Sequence, residues 1–577
     1  NYGATDFEYT PPTGFKSLNT TQLASDTTRT ASDSKKYFDT ILYEGNGDTQ
    51  RVGQFQPFTD SFTVSKGALF PATGYLSRTF DEAGNRQIFS LSTWFKIGQT
   101  GAQEGSVGVT LFSTKNGSAN SESTWFVVKL DTSNRLVVSI WNDLITTKDF
   151  NDTSQWYHLL VAVDTTQSTA ADRIKVYING VQEIWFDTTN YPSSSASLAW
   201  GVNSTAHYVG VHNDNSNYEW NGYLAQTAYI TGTQLTPSSF GQTDTSSNRW
   251  VPKDISGLTF GSAGFFLDYA DSGNVGDDES GNTNDFTNVN TVAQVTDSPT
   301  INVATLDPNS NTTSGGSTAL SNGNRTSTQS SGGTTYVGGI LVPESGKFVW
   351  EVTVTNVVEH FYIGIKDIDA SNTASSTLSD DAIMYQNDGT IEVDGTTYSS
   401  SPATYTDGDV IRVEWDVNVK IEWFKNNSSQ GSYTLLKSPI TYKPFFVYND
   451  DTASFTVNFG SSSFAHTPTT GYSALTQDNL TSTDQFISAF SWIKNRDATD
   501  SHMWLDRVRG IRPNPYHICS DTDATQVGTV ETIRQMLAGG VVVGNNAAVN
   551  TANESYVLWN FMMEATGSGS ANTAGSK

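Results

Sequence analysis

The sequence has 577 residues, of which 16% are charged, and 59 acidic against 32 basic residues give it a net charge of −27. This balance excludes a nucleic-acid-binding protein, which needs a basic surface to neutralise phosphates. No run of 18 apolar residues is present that would insert into a membrane. Gly, Ser, Thr and Asn dominate the polar residues; they supply turns, and Thr suits strands, so the composition favours turn-rich β-sandwiches.

The chain opens on a segment that recurs later. Residues 1–23 align without a gap with residues 458–480, and the shared residues are Asn1, Gly3, Phe7, Thr10, Pro11, Thr13, Gly14, Leu18 and Leu23. Such a repeat indicates a modular chain. The second copy ends a strand-rich domain, so we expect the first copy to end another and the natural polypeptide to extend upstream. Residues 1–30 are therefore assigned to the end of an upstream repeat plus a linker.

Residues 31–255 contain many short segments in which apolar and polar side chains alternate between turn residues, a pattern typical of an all-β sandwich. The clearest example is 156–182, which begins with an apolar period of two through Trp156, His158, Leu160 and Ala162. This period predicts strands with one buried face. Asn179-Gly180 then predicts a tight hairpin turn, because both residue types tolerate positive φ.

Residues 256–480 contain a second set of short alternating segments, among them "GKFVWEVTV" and "DVIRVEWDV", and predict a second β-sandwich. Within this body, residues 308–335 consist largely of Ser, Thr, Asn and Gly. So few hydrophobic side chains predict a long loop rather than strands.

Residues 481–577 form a third and smaller unit. The segment 529–540 predicts a helix there, because a single helical face would carry its apolar side chains and Gly539 would follow the last turn. The residues on that face are Val530, Ile533, Met536 and Leu537. The predicted fold class is thus all-β, with serial β-sandwiches followed by a small mixed C-terminal module.

Several stretches carry a family resemblance. Residues 75–98, 156–182 and 220–241 resemble the laminin-G-like, concanavalin-A-type domain of structural proteins of tailed phages, marine and cyanobacterial ones especially. "GKFVWEVTV", "FYIGI" and "DGDVIRVEWDV" resemble the SPRY-type sandwich that often follows it. "FSWIKNRDATDSH" and "NESYVLWNF" are similar to a further module of phage tail-fibre-like proteins. The resemblance implies a jelly-roll sandwich, then a SPRY-like sandwich, in a virion protein that binds glycan or protein.

Concanavalin-type sandwiches include glycoside hydrolases, whose retaining members need two carboxylates about 5 to 5.5 Å apart. The candidate pairs are Glu414 with Asp416 and Glu392 with Asp394. The alternatives are a solvated strand face for the first pair and a hairpin turn at Asp394-Gly395 for the second. Neither pair has a third acid nearby, and His158 lies on the apolar side of its strand as a core residue would. We therefore expect a protein that is not an enzyme.

The segment "GDDESGNTND" (276–285) gathers acidic and amide side chains in a Gly-containing loop. Ca²⁺ takes six to eight oxygen ligands of these kinds, whereas the lone Cys519 and the dispersed His residues argue against zinc. The alternative is a connection rich in Asx-turns. The pair Asp380-Asp381 is a weaker acidic cluster. The calcium ligands predicted in the loop are Asp277, Asp278, Asn282, Asn284 and Asp285.

Loops at the edge of a sandwich are the usual place for a ligand, because the sheet holds them in position. The loop 212–222 combines aromatic rings with amide and carboxylate groups, which suits a sugar, and the segment "WND" (141–143) adds more of both; the alternative for Trp220 is a place in the core. The predicted binding residues are Trp141, Asp143, Asn213, Asp214, Asn217, Tyr218 and Trp220.

These observations predict a virion appendage, a tail fibre or surface fibre, that attaches to a glycan or receptor on the host surface. A structural or decorating virion protein and a polysaccharide depolymerase are the alternatives. A lone cysteine fits assembly in a reducing host cytoplasm before incorporation in the virion. The predicted partners are the host-surface glycan or receptor, other virion proteins and further copies of this chain, with a trimer suggested by the resemblance to fibres.

Overall fold

The structure is a computed structural model and is nearly all β. No helix of the described residues is long and apolar enough to cross a membrane. The structure describes residues 38–564 except 46–49, 54–61, 99–107, 151, 213–218, 245–248, 309–311, 315–316, 342, 344, 358–359, 368–381, 418, 436–441, 450–451, 481–485, 507–515, 520–526, 529–531 and 538–539.

Two strands come first, β1 (Phe38–Glu44) and β2 (Gln50–Gly53). The strands of the first sandwich are β3 (Gly67–Phe70), β4 (Tyr75–Thr79), β5 (Ile88–Ile97), β6 (Val109–Lys115), β7 (Trp125–Leu130), β8 (Arg135–Ser139), β9 (Asp143–Asp149), β10 (Tyr157–Asp164), β11 (Ile174–Ile178), β12 (Val181–Gln182), β13 (Phe186–Thr189), β14 (Ala206–Val209), β15 (Gly222–Thr231), β16 (Gly241–Thr243), β17 (Trp250–Pro252), β18 (Phe265–Leu267), β19 (Thr287–Val289) and β20 (Ala293–Val295). A single-turn helix α1 (Ala170–Arg173) and a 3₁₀ turn (Pro237–Ser239) interrupt them.

The strands of the second sandwich are β21 (Thr312–Ser314), β22 (Ser317–Ser321), β23 (Thr326–Ser331), β24 (Thr334–Gly338), β25 (Lys347–Asn356), β26 (His360–Asp367), β27 (Ala382–Gln386), β28 (Ile391–Val393), β29 (Thr396–Ser399), β30 (Val410–Asp416), β31 (Lys420–Lys425), β32 (Ser428–Thr434), β33 (Tyr442–Asn449), β34 (Ser454–Asn458) and β35 (Ser473–Ala474). A 3₁₀ turn (Gln477–Asn479) follows. The last strands are β36 (Phe486–Asn495), β37 (Met503–Asp506), β38 (Tyr516–Cys519), β39 (Val527–Gly528), β40 (Ile533–Leu537), β41 (Gly540–Val543) and β42 (Ser555–Glu564), with a single-turn helix α2 (Ala547–Asn550) before β42.

The first sandwich packs two antiparallel sheets against each other. Sheet A has the order β12-β11-β10-β5-β15-β3-β20, with β18 also paired to β15, and sheet B has the order β13-β9-β8-β7-β6-β14-β4-β19. The strands β18, β19 and β20 lie beyond the boundary predicted at residue 255, yet they pair inside these two sheets. Phe265 and Leu267 of β18 enter the same core, as does Val292 just before β20, so the chain completes the first sandwich only near residue 295.

Strand β10 corrects the expectation of one buried face, because it is buried on both. Tyr157, Leu159, Val161 and Val163 pack into the core between sheets A and B. Leu160 and Ala162 pack on the other side into a second cluster with Phe240, Ile255 and Phe260. The described residues between 235 and 260 therefore cover the outer side of sheet A, which alternation along β10 alone could not reveal.

The hairpin predicted after Ile178 is confirmed. Strand β11 pairs with β12, and Ile178 faces Val181 across a two-residue turn. Asn179 and Gly180 have φ of 48° and 77°, the positive values of a type I′ turn. Gly180 is required here for a second reason: a Cβ atom would come within 2.4 Å of the Trp250 ring.

The second sandwich packs sheet C, of order β21-β24-β33-β26-β27-β28-β29, against sheet D, of order β22-β23-β34-β25-β30-β31-β32. The prediction of a long loop over 308–335 is wrong, because β21 to β24 lie there. Their Thr side chains bond both within and between the sheets: Thr326 bonds its cross-strand partner Thr456 at 2.8 Å, and Thr318 of sheet D bonds Thr335 of sheet C at 2.7 Å. Cross-strand hydroxyl pairs stabilise sheets without hydrophobic side chains, and a search for apolar residues misses them.

The second copy of the sequence repeat closes the second sandwich. After β34, residues 461–472, here called the strap, cross the outer face of sheet D. The buried carboxylate of Glu351 accepts from the backbone N–H groups of Ala465 (2.6 Å) and His466 (2.8 Å). Strand β35 then pairs in parallel with β25. The first copy, residues 1–23, lies outside the described residues.

The C-terminal module is assembled from two distant parts of the chain. Strand β1 pairs along its whole length with β42, from Phe38 opposite Phe561 to Glu44 opposite Ser555, in a sheet of order β1-β42-β36-β37-β38-β39. Strand β2 pairs with β41 in a sheet of order β2-β41-β40. Both sandwiches are thus inserted between β2 and β36 of a discontinuous module.

The helix predicted over 529–540 is wrong where the structure describes it, because residues 533–537 form strand β40. This strand pairs with β41, from Ile533 opposite Val543 to Leu537 opposite Gly540. The run Val541–Val543 is fully buried between β40 and β2. A buried β-branched strand needs hydrogen-bonding partners on both sides, and this tertiary demand overrides the helical pattern of its neighbour.

Two fully buried histidines make the first sandwich sensitive to acid. His158 accepts from Trp250 Nε1 (3.2 Å) and contacts the Ser92 hydroxyl (2.9 Å). His207 accepts from the Gly201 N–H (3.0 Å). Burial lowers the pKa of each ring from 6.5 to about 3, so both rings are neutral in the folded state at pH 5 while an unfolded chain would bind protons there.

We therefore expect stability to be intact above pH 6.5 and to fall as the pH drops from 6.5 towards 3. Each histidine should lower the free energy of unfolding by about 2 kcal/mol between pH 7 and pH 5. Urea unfolding of the whole chain, followed by tryptophan fluorescence at several pH values, measures this loss. The slope of the unfolding free energy against pH gives the number of protons taken up on unfolding. His207→Gln should lower this number by one below pH 6; an unchanged slope would show that His207 takes up no proton on unfolding.

Candidate functional site

An exposed aromatic cluster lies on the outer face of sheet B, at the turn between β8 and β9. Trp141 stands at the tip of this turn and is 47% exposed. Its ring meets Trp125 of β7 edge-on, with centroids 6.5 Å apart, and Trp125 in turn lies 5.1 Å from the ring of His212. The turn 140–142 and His212, which are far apart in sequence, therefore meet at one place through Trp125.

The backbone holds Trp141 in an uncommon conformation. Its φ is 77°, which a bulky L-residue adopts only where the surrounding structure imposes it. Ser139 pairs with Asp143, and the Ile140 N–H donates to the Asn142 carbonyl at 3.0 Å, so the strands close the turn tightly around it. The result is a large ring presented to solvent by a rigid hairpin.

Polar and charged groups surround these rings. Trp125 Nε1 donates to the Ser139 hydroxyl at 3.1 Å, and Lys115 Nζ lies 5.6 Å from the Trp125 ring centroid. Lys129 lies on the same face of β7; burial lowers the pKa of its ammonium group, while Asp143 and Asp131 oppose this shift. An aromatic platform beside hydroxyl, ammonium and carboxylate groups can stack on the C–H face of a sugar and bond its hydroxyls.

The structure separates the predicted sugar-binding residues into three groups. Trp141 and Asp143 lie at the aromatic cluster. Asn213, Asp214, Asn217 and Tyr218 lie outside the described residues. The prediction that Trp220 binds a sugar is wrong. Its ring is fully buried and packs edge-on against Phe95 in the core of the first sandwich.

Sequence patterns alone did not single out Trp125 or His212 as part of this site. Trp125 begins a strand whose next residue, Phe126, points into the core, so its own side chain is on the outer face. The sequence feature that could have identified it is a tryptophan on the solvent side of an alternating strand. That feature could place Trp125 on the outer face but not beside Trp141.

The acidic pairs considered for catalysis have structural roles. The carboxylate of Glu414 is buried, pairs with Arg412 Nε at 3.1 Å and accepts the Thr469 N–H of the strap at 2.8 Å. The sequence analysis gave a solvated strand face as the alternative role of Glu414. That alternative is wrong, because the strap covers this side chain. Asp394 and Gly395 have φ of 51° and 71°, which confirms the hairpin-turn alternative for the second pair.

The acidic loop 276–285 is organised by its own hydrogen bonds. The carboxylate of Asp278 accepts from the backbone N–H groups of Phe266 (2.9 Å), Ser280 (3.0 Å) and Asn284 (2.8 Å). The amide groups of Asn282 and Asn284 donate to carbonyls of the 261–264 turn. No group of three or more His, Cys, Asp or Glu side chains in the described part of the chain is placed to hold a metal ion.

These contacts favour the Asx-turn alternative for the loop over the predicted calcium site, because the oxygens of Asp278 already bind N–H groups. Calcium binding by Asp277, Asp278, Asn282, Asn284 and Asp285 stays a prediction. The weaker cluster Asp380-Asp381 lies outside the described residues.

Comparison with known families identifies two parts of the chain. Residues 71–239 match the family model of the Concanavalin A-like lectin/glucanases superfamily, described also as a laminin G domain. Residues 460–577 match a family described as a domain of unknown function, DUF7483. The concanavalin-A-like fold predicted for the first sandwich is thereby confirmed, and the aromatic cluster lies inside the matched region.

SPRY domains are among the structural neighbours of the chain. The SPRY domain of human HERC1 shares 17% identity over 26% of this chain and 96% of that one, with a TM-score of 0.23. A putative carbohydrate binding protein from Bacteroides ovatus shares 13% identity over 41% of this chain and 61% of that one, with a TM-score of 0.27. A SAP-like pentraxin from Limulus polyphemus shares 13% identity over 34% of this chain and 78% of that one, with a TM-score of 0.21. No curated protein sequence matches the chain.

Proposed function

We propose that this protein binds carbohydrate through the outer face of sheet B and does not cleave it. The observation that carries the proposal is Trp141, a half-exposed ring held at positive φ on a rigid hairpin beside Trp125 and His212. An exposed ring that continues into a cluster of further aromatic rings is typical of a ligand-binding surface, whereas a single exposed ring is not. The match of residues 71–239 to a superfamily of lectins and glucanases supports a sugar as that ligand.

The setting we propose is the surface of a tailed-phage virion, on a tail fibre or comparable appendage that attaches to a host-surface glycan. The sequence resemblance to phage structural proteins supports this setting. The insertion of both sandwiches into one discontinuous module supports it too, because that module is a separate unit that can serve as the base of the appendage. Other virion proteins and further copies of the chain are the proposed neighbours of that base.

The first test is the substitution Trp141→Ala. It should weaken binding of the full chain to host-envelope polysaccharide by about 2 kcal/mol, roughly thirtyfold in Kd, because the ring supplies the stacking face. Biolayer interferometry on immobilised polysaccharide measures the change. Tyr398→Ala is the matched control, since Tyr398 is 57% exposed on the second sandwich and its removal should leave Kd unchanged.

The same samples separate the alternatives. Release of reducing ends during incubation would establish a depolymerase and overturn the proposal that the sugar is not cleaved. A wild-type chain that binds no envelope polysaccharide would favour a structural virion protein instead. Repeating the measurement with EDTA tests the calcium prediction: the Asx-turn interpretation of loop 276–285 expects the same Kd with and without the chelator.

A further inference from the structure

A second exposed tryptophan lies on the same face of sheet B as Trp141. Trp185 immediately precedes β13, the edge strand of this sheet, and is 52% exposed. Its carbonyl accepts the Thr147 N–H of β9 at 3.2 Å. The next residue, Phe186, packs against the core of the first sandwich. Neighbouring side chains of an extended segment point in opposite directions, so Trp185 belongs to the outer face.

The same alternation places Trp141 and Trp185 on one continuous surface. Leu144 of β9 is in the core, so Asp143, Ile145 and Thr147 are on the outer face. Trp141 stands at the Asp143 end of β9 and Trp185 at the Thr147 end. Four residues of strand separate those ends, about 13 Å at the rise of a β-strand. One monosaccharide cannot reach both rings, whereas a chain of several can.

The surface between the two tryptophans is mixed in character. Val137 lies beneath it, almost fully buried, and is paired with Lys129 on one side and Ile145 on the other. Arg135 extends it, held by Asp131 and by Asp187 of β13 at 2.7 Å each. The half-buried Ile145, the exposed Thr147 and these charged groups offer both C–H contacts and hydrogen bonds between the two rings, as the units of a polysaccharide require.

We propose that the ligand is an internal stretch of a linear polysaccharide, which lies along β9 and stacks on Trp141 at one end and on Trp185 at the other. This inference rests on the proposed function and adds the ligand's class: an extended chain rather than a terminal sugar. Trp141 and the turn around it form the first subsite. Trp185 is the second, and it contributes only to ligands long enough to reach it.

The test uses linear oligosaccharides, from disaccharide to octasaccharide, cut from a polysaccharide that binds the full chain. For the wild-type chain, affinity should rise by about tenfold or more between the disaccharide and the hexasaccharide. Trp185→Ala should abolish that rise and leave disaccharide binding unchanged, and Trp185→Phe should restore part of it. Trp141→Ala should weaken binding at every length. Isothermal titration calorimetry gives the Kd values.

The outcomes distinguish this inference from the proposed function. If no polysaccharide binds the wild-type chain, both are overturned. If polysaccharide binds but affinity is equal at all lengths, or Trp185→Ala leaves the rise intact, the extended-chain inference alone is overturned. Val181 and Ile184, 54% and 67% exposed beside Trp185, make a protein partner the competing explanation. Loss of self-association in Trp185→Ala with unchanged sugar binding would establish that explanation instead.

Discussion

Replacing Asp297 by Asn should lower the free energy of unfolding by about 3 to 5 kcal/mol, because it leaves a buried ammonium group without its counter-charge. Asp297 and Lys96 form an ion pair of 3.0 Å, and both side chains are fully buried where the two sandwiches meet. The other carboxylate oxygen of Asp297 accepts from Trp156 Nε1 and from the Val303 N–H, each at 3.1 Å. An amide cannot satisfy all three donors.

This pair joins the two sandwiches. Lys96 belongs to β5 of the first, and its ammonium group also donates to Asn302 Oδ1 (3.0 Å) and to the Val303 carbonyl (2.7 Å) at the entrance to the second. Asn302 in turn bonds the Gln477 side chain at 2.8 Å. The expected consequence is that Asp297→Asn separates one cooperative unfolding transition into two, because the junction weakens before either core does.

Urea unfolding, with tryptophan fluorescence and far-ultraviolet circular dichroism recorded together, measures both effects. Asp81→Asn is the control, since Asp81 forms an exposed pair with Arg78 at 2.8 Å and its loss should leave stability unchanged. The double variant Lys96→Met with Asp297→Asn should recover part of the loss, because it leaves no buried charge unpaired. A single variant as stable as the wild type would show that the junction does not depend on this pair.

Deleting residues 38–53 should unfold the C-terminal module while both sandwiches stay folded. The deletion removes β1 and β2, which leaves β42 paired with β36 alone and β41 paired with β40 alone. It also takes Ile41, Tyr43 and Val52 out of a small core that they share with Val541 and Leu558. A module this small buries little apolar surface and is only marginally stable. We therefore expect the deletion to unfold the whole module rather than to change it locally.

Hydrogen exchange with peptide-level mass spectrometry measures the effect strand by strand. Amides of β36, β41 and β42 should lose protection in the deleted chain, and amides of β5, β15 and β25 should keep it. Removal of residues 1–30 is the control and should change neither group. A synthetic peptide covering 36–54 should restore protection when added to the deleted chain. Full protection of β41 and β42 without β1 and β2 would contradict the discontinuous module.

A turn and a pair of tryptophans show what local sequence patterns could and could not predict. Asn179-Gly180 was predictable because a type I′ turn depends on the φ values of two adjacent residues. Trp141 and Trp220 both occur in polar, aromatic segments, and the sequence pattern treated them alike as sugar-binding residues. Only the packing distinguishes them, with Trp220 fully buried against Phe95 and Trp141 half exposed on a hairpin. Exposure is a property of the assembled sheets and not of the segment.

The sequence by itself determined the all-β class and the hairpin, because strand period and turn chemistry act between near neighbours. It indicated the concanavalin-A-like region through the resemblance to a known family. The tertiary structure decided that residues 533–537 form a strand, that both faces of β10 are buried, and that two distant parts of the chain share one module. The hydrogen bond from the Tyr43 hydroxyl to the Val549 carbonyl spans 506 residues. Burial and strand pairing at such separations depend on where the whole chain runs, and no local pattern contains that information.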